Sequence, residues 1–275
     1  MNAVAISPIC PLYTAPSAAS PLADEVLCGW PLEVLEEPCP GWVRVRTAYR
    51  YEGYAPAADL IPGAGCARRW GERDKRVVLQ TAADVLDRPA VEGRRLATLF
   101  RGALVSPLGG ALEGGWQKLC LPDGREGYTR SDFLGAYYET PPSGDPDALR
   151  KQVVDTAIRY LGTQYRWGGK SSLGVDCSGL VFMAWWLNGV SLYRDAKIVE
   201  GYPVREIPLE ALAPADLLFF PGHVALYLGE ERYLHATARA GSCGVVVNSL
   251  DPAAPDFRAD LAETITAAGS VFPLE

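Results

Sequence analysis

Between residues 145 and 189 the hydrophobic positions fall into two different patterns. Apolar residues at 149, 153, 154, 157, 158 and 161 recur at the spacing of one helical face. Asp145-Pro146 supplies an N-cap followed by proline at the first helical position, and Gly162 supplies the stop. The second pattern, CSGLVFMAWWLNG from Cys177 to Gly189, is apolar nearly throughout and reads as a buried helix closed by Asn188-Gly189. Downstream, LLFF, HVALYLG, RYLHAT and CGVVVNSL are strand-like runs in close succession. One helical lobe followed by an antiparallel sheet is an α+β arrangement.

The first half is patterned differently. Short β-prone runs, PLEVLEE, WVRVRTAY, RVVLQTA and WQKLCL, alternate with Gly and Pro. It also repeats itself at an offset of 74 residues. Gly41-Trp42 is followed by Glu52-Gly53-Tyr54 and then Asp59-Leu60, and Gly115-Trp116 by Glu126-Gly127-Tyr128 and then Asp132-Phe133-Leu134. Two copies of a unit of roughly 60 residues with short strands predict two small all-β barrels. ETPPSGDPD (139–147) has the composition of a linker. The expected chain is therefore multidomain, with β units at 1–64 and 74–138, a linker at 139–147 and an α+β domain at 148–275.

Composition narrows the partners. The 275 residues are 48% hydrophobic and carry a net charge of −7 with no basic cluster, which argues against nucleic acid or an anionic membrane. The seven cysteines are scattered without CxxC pairs, a pattern of reduced thiols rather than a disulfide framework. MNAVAISPICPLY has no positive n-region, and no run approaches a membrane span, so a cytoplasmic location is expected unless a leader has been removed.

Cys177 is the candidate nucleophile. A Gly-rich loop, YRWGGKSSLGV, delivers it to a helix start, where unpaired N–H groups and the helix dipole favour a thiolate and an oxyanion. The chain has only two histidines, His223 and His235, both in the predicted hairpin. Their separation of twelve puts both side chains on one face if the loop is odd in length. A loop at 228–230 would set them directly opposite each other, and an even loop would set them on opposite faces. His223, at a strand start after Pro-Gly, is preferred as general base and acid, with His235 orienting its ring. Activity is then expected to follow a thiolate–imidazolium pair across pH. A zinc site from Cys177, His223, His235 and Cys243 is the competing chemistry, but it lacks the short-range ligand pairs of structural zinc. No cofactor or metal is implied.

Taken together, YLGTQYRWGGKSSLGVDCSGLV, PADLLFF, HVALYLG and RYLHAT resemble the catalytic domain of NlpC-type cell-wall peptidases, which are papain-like cysteine enzymes. The repeated Trp…Gly-Tyr units resemble bacterial SH3 domains. The first resemblance covers about residues 145–275, and it departs at Ala215, where the family usually has Gly in a turn. It implies hydrolysis of the bond between γ-D-glutamate and the following diamino acid of peptidoglycan stem peptides. Cys177, His223 and His235 fall on the family's Cys-His-His triad, and Tyr165 on a tyrosine near the cysteine.

Two SH3 domains ahead of the peptidase resemble the dipeptidyl-peptidase VI branch, which recycles released wall peptides bearing a free N-terminal L-Ala. In that branch the first SH3 domain leans over the cleft. Asp176 and Ser178 match its amine-binding positions, although Asp176 equally reads as an N-cap. Glu25 in ADEVL and Tyr51 in YRYEGY are further amine-site candidates. The alternatives are a secreted endopeptidase using SH3 domains to bind intact wall, a wall-binding module with a dead site, and an acyltransferase with the same triad. The sequence leaves the choice between diaminopimelate and lysine open, as well as the oligomeric state.

Overall fold

The structure, a computed structural model, describes residues 2–273. It divides into two compact units. One runs to Tyr137 and includes Ser171–Leu173; the other comprises Tyr138–Lys170 and the chain from Gly174 onward.

The first unit holds two seven-stranded sheets. Strands β1 (Ala3–Ala5), β2 (Ile9–Tyr13), β3 (Leu22–Leu27), β4 (Pro31–Cys39), β5 (Trp42–Thr47), β6 (Glu52–Pro56) and β7 (Leu60–Pro62) form the first. Strands β8 (Arg76–Val78), β9 (Ala82–Leu86), β10 (Arg95–Phe100), β11 (Leu104–Pro107), β12 (Trp116–Cys120), β13 (Glu126–Arg130) and β14 (Leu134–Ala136) form the second. Their orders, β3-β2-β6-β5-β4-β1-β7 and β10-β9-β13-β12-β11-β8-β14, match strand for strand. The 74-residue repeat also survives as register, because Trp42 pairs with Pro56 and Val45 with Gly53, just as Trp116 pairs with Arg130 and Leu119 with Gly127.

Close packing explains the repeated Glu-Gly-Tyr. A Cβ on Gly53 would lie 2.9 Å from the Leu12 Cβ, and one on Gly127 would lie 2.6 Å from Val85 Cγ1 and 2.8 Å from the Leu86 carbonyl oxygen. The sheet edge closes only where the side chain is missing. Between the sheets runs a helix, Ala64–Gly71, that the hydrophobic pattern did not announce. Its buried Trp70 donates to the Gly29 carbonyl at 2.8 Å, and Trp30 donates to the Gly102 carbonyl at 2.8 Å. Cys28 also joins the buried cluster of the second sheet, so both sheets share one core.

In the second unit the helix Pro146–Ile158 starts as its sequence suggests, with Asp145 accepting from the Asp147 N–H at 3.1 Å. The helix Cys177–Trp186 is buried from Cys177 through Trp185, which accounts for its unbroken apolar run. Each fully buried Leu or Phe there contributes about 1.5–3 kcal/mol. It packs on the strands His223–Gly229 and Arg232–Thr237 of a six-stranded antiparallel sheet. The sheet order is Arg205–Ile207, Ala267–Ser270, Leu217–Phe220, His223–Gly229, Arg232–Thr237, Gly244–Ser249.

The histidine hairpin departs from the expected geometry in an informative way. Its loop is two residues, Glu230-Glu231, both with positive φ (51° and 55°), as a type I′ turn requires. An even loop alone would split the histidines between faces. A bulge between Tyr227 and Gly229 supplies the extra residue and restores the parity. The pairs Leu226↔Leu234 and Tyr227↔Tyr233 set His223 and His235 on one face as diagonal neighbours, not directly opposite each other. Ala215, in the turn where the resembled family has Gly, adopts φ 74°, a conformation that favours glycine.

Candidate active site

Cys177 is the first residue of its helix and is only 6% exposed. Asp176 caps the helix, accepting from the Gly179 N–H at 2.6 Å. Hydrogen bonds from the backbone of Ser178 and Val224 reach the Cys177 sulfur and favour its anion. Val224 follows His223 directly, so the strand that presents the candidate base also contacts the candidate nucleophile. Ser178, which follows the thiol, and Val224 also line a small pocket of about 20 Å³ with Val181, Leu217 and Phe219.

The two histidines form a relay whose proton positions can be derived. His223 Nε2 lies 2.7 Å from His235 Nδ1, and His235 Nε2 lies 2.9 Å from Asn248 Oδ1. The Asn248 amide nitrogen donates to the Asp256 carbonyl at 2.7 Å, which fixes its oxygen toward His235. His235 Nε2 therefore carries the proton and its Nδ1 accepts. His223 Nε2–H must be the donor, which leaves its Nδ1 with the lone pair that can accept a proton. Both ring nitrogens of His235 are thus engaged in hydrogen bonds.

The charge state differs from the expected resting ion pair. Burial, then Asp176, hold the Cys177 thiol up at about 11 against the lowering effects of the Val224 and Ser178 backbone and Arg194. Burial, His235 and Arg258 hold His223 down at about 3, and burial holds His235 down at about 4 despite the Asn248 hydrogen bond. These shifts favour a neutral thiol and neutral imidazoles at rest. An ion pair then arises by proton transfer within the site, without change of net charge.

This has a consequence for stability. Unfolded histidines take up protons below about pH 6.5, and the folded ones resist until about pH 3–4, so acid favours unfolding. Stability is expected to fall below pH 6.5, by up to about 2.7 kcal/mol per pH unit for two histidines. On the alkaline side Cys177 costs stability above about pH 9. A melting temperature unchanged between pH 7 and 4.5 would contradict neutral buried histidines.

Of the other sequence candidates, Tyr165, Asp176 and Ser178 share the second unit with the triad. Tyr165 is half-buried, and burial and then the charge of Cys177 push its hydroxyl up to about 12. Asp176 is an N-cap and also the partner of Arg194, at 3.0 and 3.1 Å. Gly168 N–H and Ser178 Oγ donate to it as well, at 2.9 and 3.3 Å. Its acceptor sites are filled, and an ammonium group binds there only in exchange for one of these donors. Glu25 and Tyr51 belong to the first unit. Glu25, 3% exposed, accepts from the Ser171 N–H at 3.2 Å, and the Tyr51 N–H donates to Thr47 Oγ1 at 2.9 Å.

Sequence reasoning missed Asn248 and Arg194. A signal existed for Asn248, a lone amide in the apolar strand Gly244–Ser249, where Val246 pairs with His235 and Asn248 with Tyr233. Arg194, in the irregular stretch after the helix, carries no periodic signal.

The second unit matches a known family. NlpC/P60 matches residues 162–253, and the bacterial dipeptidyl-peptidase SH3 domain matches residues 12–60. Over 274 residues the chain is 44% identical to Dipeptidyl-peptidase 6 of Lysinibacillus sphaericus, spanning 99% of this chain and 100% of that protein. The chain belongs to the NlpC/P60 family. It is a cell-wall cysteine peptidase whose N-terminal half includes an SH3 domain. A γ-D-glutamyl-L-lysine dipeptidyl-peptidase of Bacillus subtilis is 31% identical, over 46% of this chain and 43% of its own length. The crystal structure of an NlpC/P60 family protein from Bacillus cereus shares the fold, with a TM-score of 0.78 at 19% identity, covering 99% of this chain and 100% of that one.

Proposed function

We propose that this peptidase hydrolyses the bond between γ-D-glutamate and the following diamino acid in peptidoglycan-derived peptides with a free N-terminal L-Ala. It would thereby recycle wall peptides in the cytoplasm. The observation that carries the chemistry is the Asn248–His235–His223 relay, because it leaves a single basic nitrogen, His223 Nδ1. Whole-length identity to a dipeptidyl-peptidase supports the choice of substrate class. On this reading the chain comprises two SH3-like units (1–64 and 74–138), a linker (139–147) and the peptidase domain (148–275). The matched strand orders of the two sheets support counting the second as SH3-like.

The reaction is acyl transfer. The Cys177 proton passes to His223 Nδ1 as the sulfur attacks the γ-carbonyl carbon of D-Glu. Backbone N–H groups at the helix start receive the oxyanion. The tetrahedral intermediate expels the diamino-acid amine, which takes the proton from His223. Water then attacks the thioester with His223 as base, releasing L-Ala-D-Glu and the free thiol. His235 holds the His223 ring and shares the charge that forms on it. Ser178 and Tyr165 are the expected partners of the substrate backbone, and Asp176 takes the amine only by exchanging one of its present donors.

The test compares L-Ala-γ-D-Glu-diamino-acid peptides with free and N-acetylated amino termini. Recognition of a buried ammonium group predicts a loss in kcat/KM of roughly 10³-fold or more on acetylation. Equal turnover of both would reject the recycling role and favour action on intact stems.

A further inference from the structure

The residue that opposes Cys177 ionisation is its own neighbour. Asp176 puts a carboxylate one residue from the thiol and raises its pKa. An uncharged Ser, Thr or Asn would cap the helix equally well, so the cost of an acid here needs a compensating partner. Arg194 is that partner, and it is 1% exposed. Its Nη1 meets Asp176 Oδ1 at 3.0 Å and Ser178 Oγ at 2.9 Å; its Nη2 meets Asp176 Oδ2 at 3.1 Å and the Gly169 carbonyl at 3.3 Å. One planar guanidinium thus grips the cap, the first-turn serine and the Gly-rich loop together. Asp176 reaches the same loop through the Gly168 N–H. Buried ion pairs add little net stability, so this one is better understood by what it positions.

We propose that Arg194 is a positioning residue for the nucleophile: it locks the Asp176 cap against the Gly168–Gly169 loop and cancels the Asp176 charge beside Cys177. This rests on Cys177 being the nucleophile. Lysine could match the charge but not the fork, and an uncharged residue neither. Other titratable groups on neighbouring elements are Tyr165, which feels the charges of Cys177 and Cys243, and His223, at the start of the strand that carries Val224.

The test measures Cys177 alkylation by iodoacetamide against pH in the full chain, reading the Cys177 peptide by mass spectrometry. Arg194→Gln leaves Asp176 unopposed, and the midpoint should rise by about one unit or more. Asp176→Asn removes the neighbouring negative charge and keeps Arg194, and the midpoint should fall by about one unit or more. The double variant should return to within about half a unit of wild type. Both single variants shifting in one direction, or neither shifting, would overturn the proposal. If neither single variant folds, the double variant decides, because it removes both charges of the pair together; a shift beyond half a unit then counts against the proposal. Peptidase activity surviving in Cys177→Ala would instead reject the nucleophile assignment, and the alkylation midpoints do not depend on that result.

Discussion

Cys177→Ala is expected to lower kcat by roughly 10⁵-fold or more while leaving the protein folded. The thiol is small, buried at 6% exposure and neutral at rest, so a methyl group replaces it without stranding a charge. What disappears is the sulfur that forms the thioester in the proposed mechanism. The pocket, the backbone N–H groups and the His223–His235–Asn248 relay all remain, so substrate still binds. Hydrolysis should be lost with KM little changed, and the melting temperature should stay within about 2–4 °C of wild type. Substantial turnover by purified Cys177→Ala protein would reject the assignment.

Gly179→Ala is expected to be damaging by a different route, with a smaller loss of rate and a loss of stability. A Cβ at this position would lie 2.2 Å from the Gly169 carbonyl oxygen, 2.9 Å from Asp176 Oδ1 and 3.3 Å from Arg194 Nη2. The first contact is with backbone and cannot be relieved by a side-chain rotation. Either the helix start or the Gly-rich loop must move, and both are tied to the same Asp176–Arg194 pair. Overpacking of this kind costs about 1–3 kcal/mol, and loosening a buried ion pair adds to it. A displacement near 1 Å at the nucleophile is worth on the order of 10²-fold in rate. The expected outcome is a fall in kcat/KM of at least that size, with a lower melting temperature. Wild-type kinetics in Gly179→Ala would show that the cap and loop are not held together as described.

The two residues flanking this glycine problem show how far the sequence could be read. Cys-Ser-Gly before an apolar run marked a helix start, because capping and periodicity are local properties. The identity of the glycine's neighbour was not local, since the Gly169 carbonyl approaches only after the loop folds back. Arg194 was silent for the same reason: it lies 18 residues from Asp176 in an irregular stretch. Parity arithmetic put both histidines on one face, and they do share it. The route was different, because a bulge compensates for an even turn, and bulges leave little mark in a strand of uniform apolar character. Asn248 was legible in principle once His235 was given a strand partner. The Trp…Glu-Gly-Tyr repeat translated into strand order and register directly, because its glycine fills a steric requirement that recurs 74 residues later. The resting charge state was not legible at all. A helix start suggested a thiolate, but burial on both partners outweighs the dipole and sets a neutral pair.

The most direct test of the account is to trap the acyl-enzyme. Wild-type protein mixed with an L-Ala-γ-D-Glu-diamino-acid peptide, quenched in acid within the first turnover and digested, should yield the Cys177 peptide carrying an L-Ala-D-Glu thioester. Hydrolysis proceeding with Cys177 unmodified at every quench time, and persisting in Cys177→Ala, would contradict it.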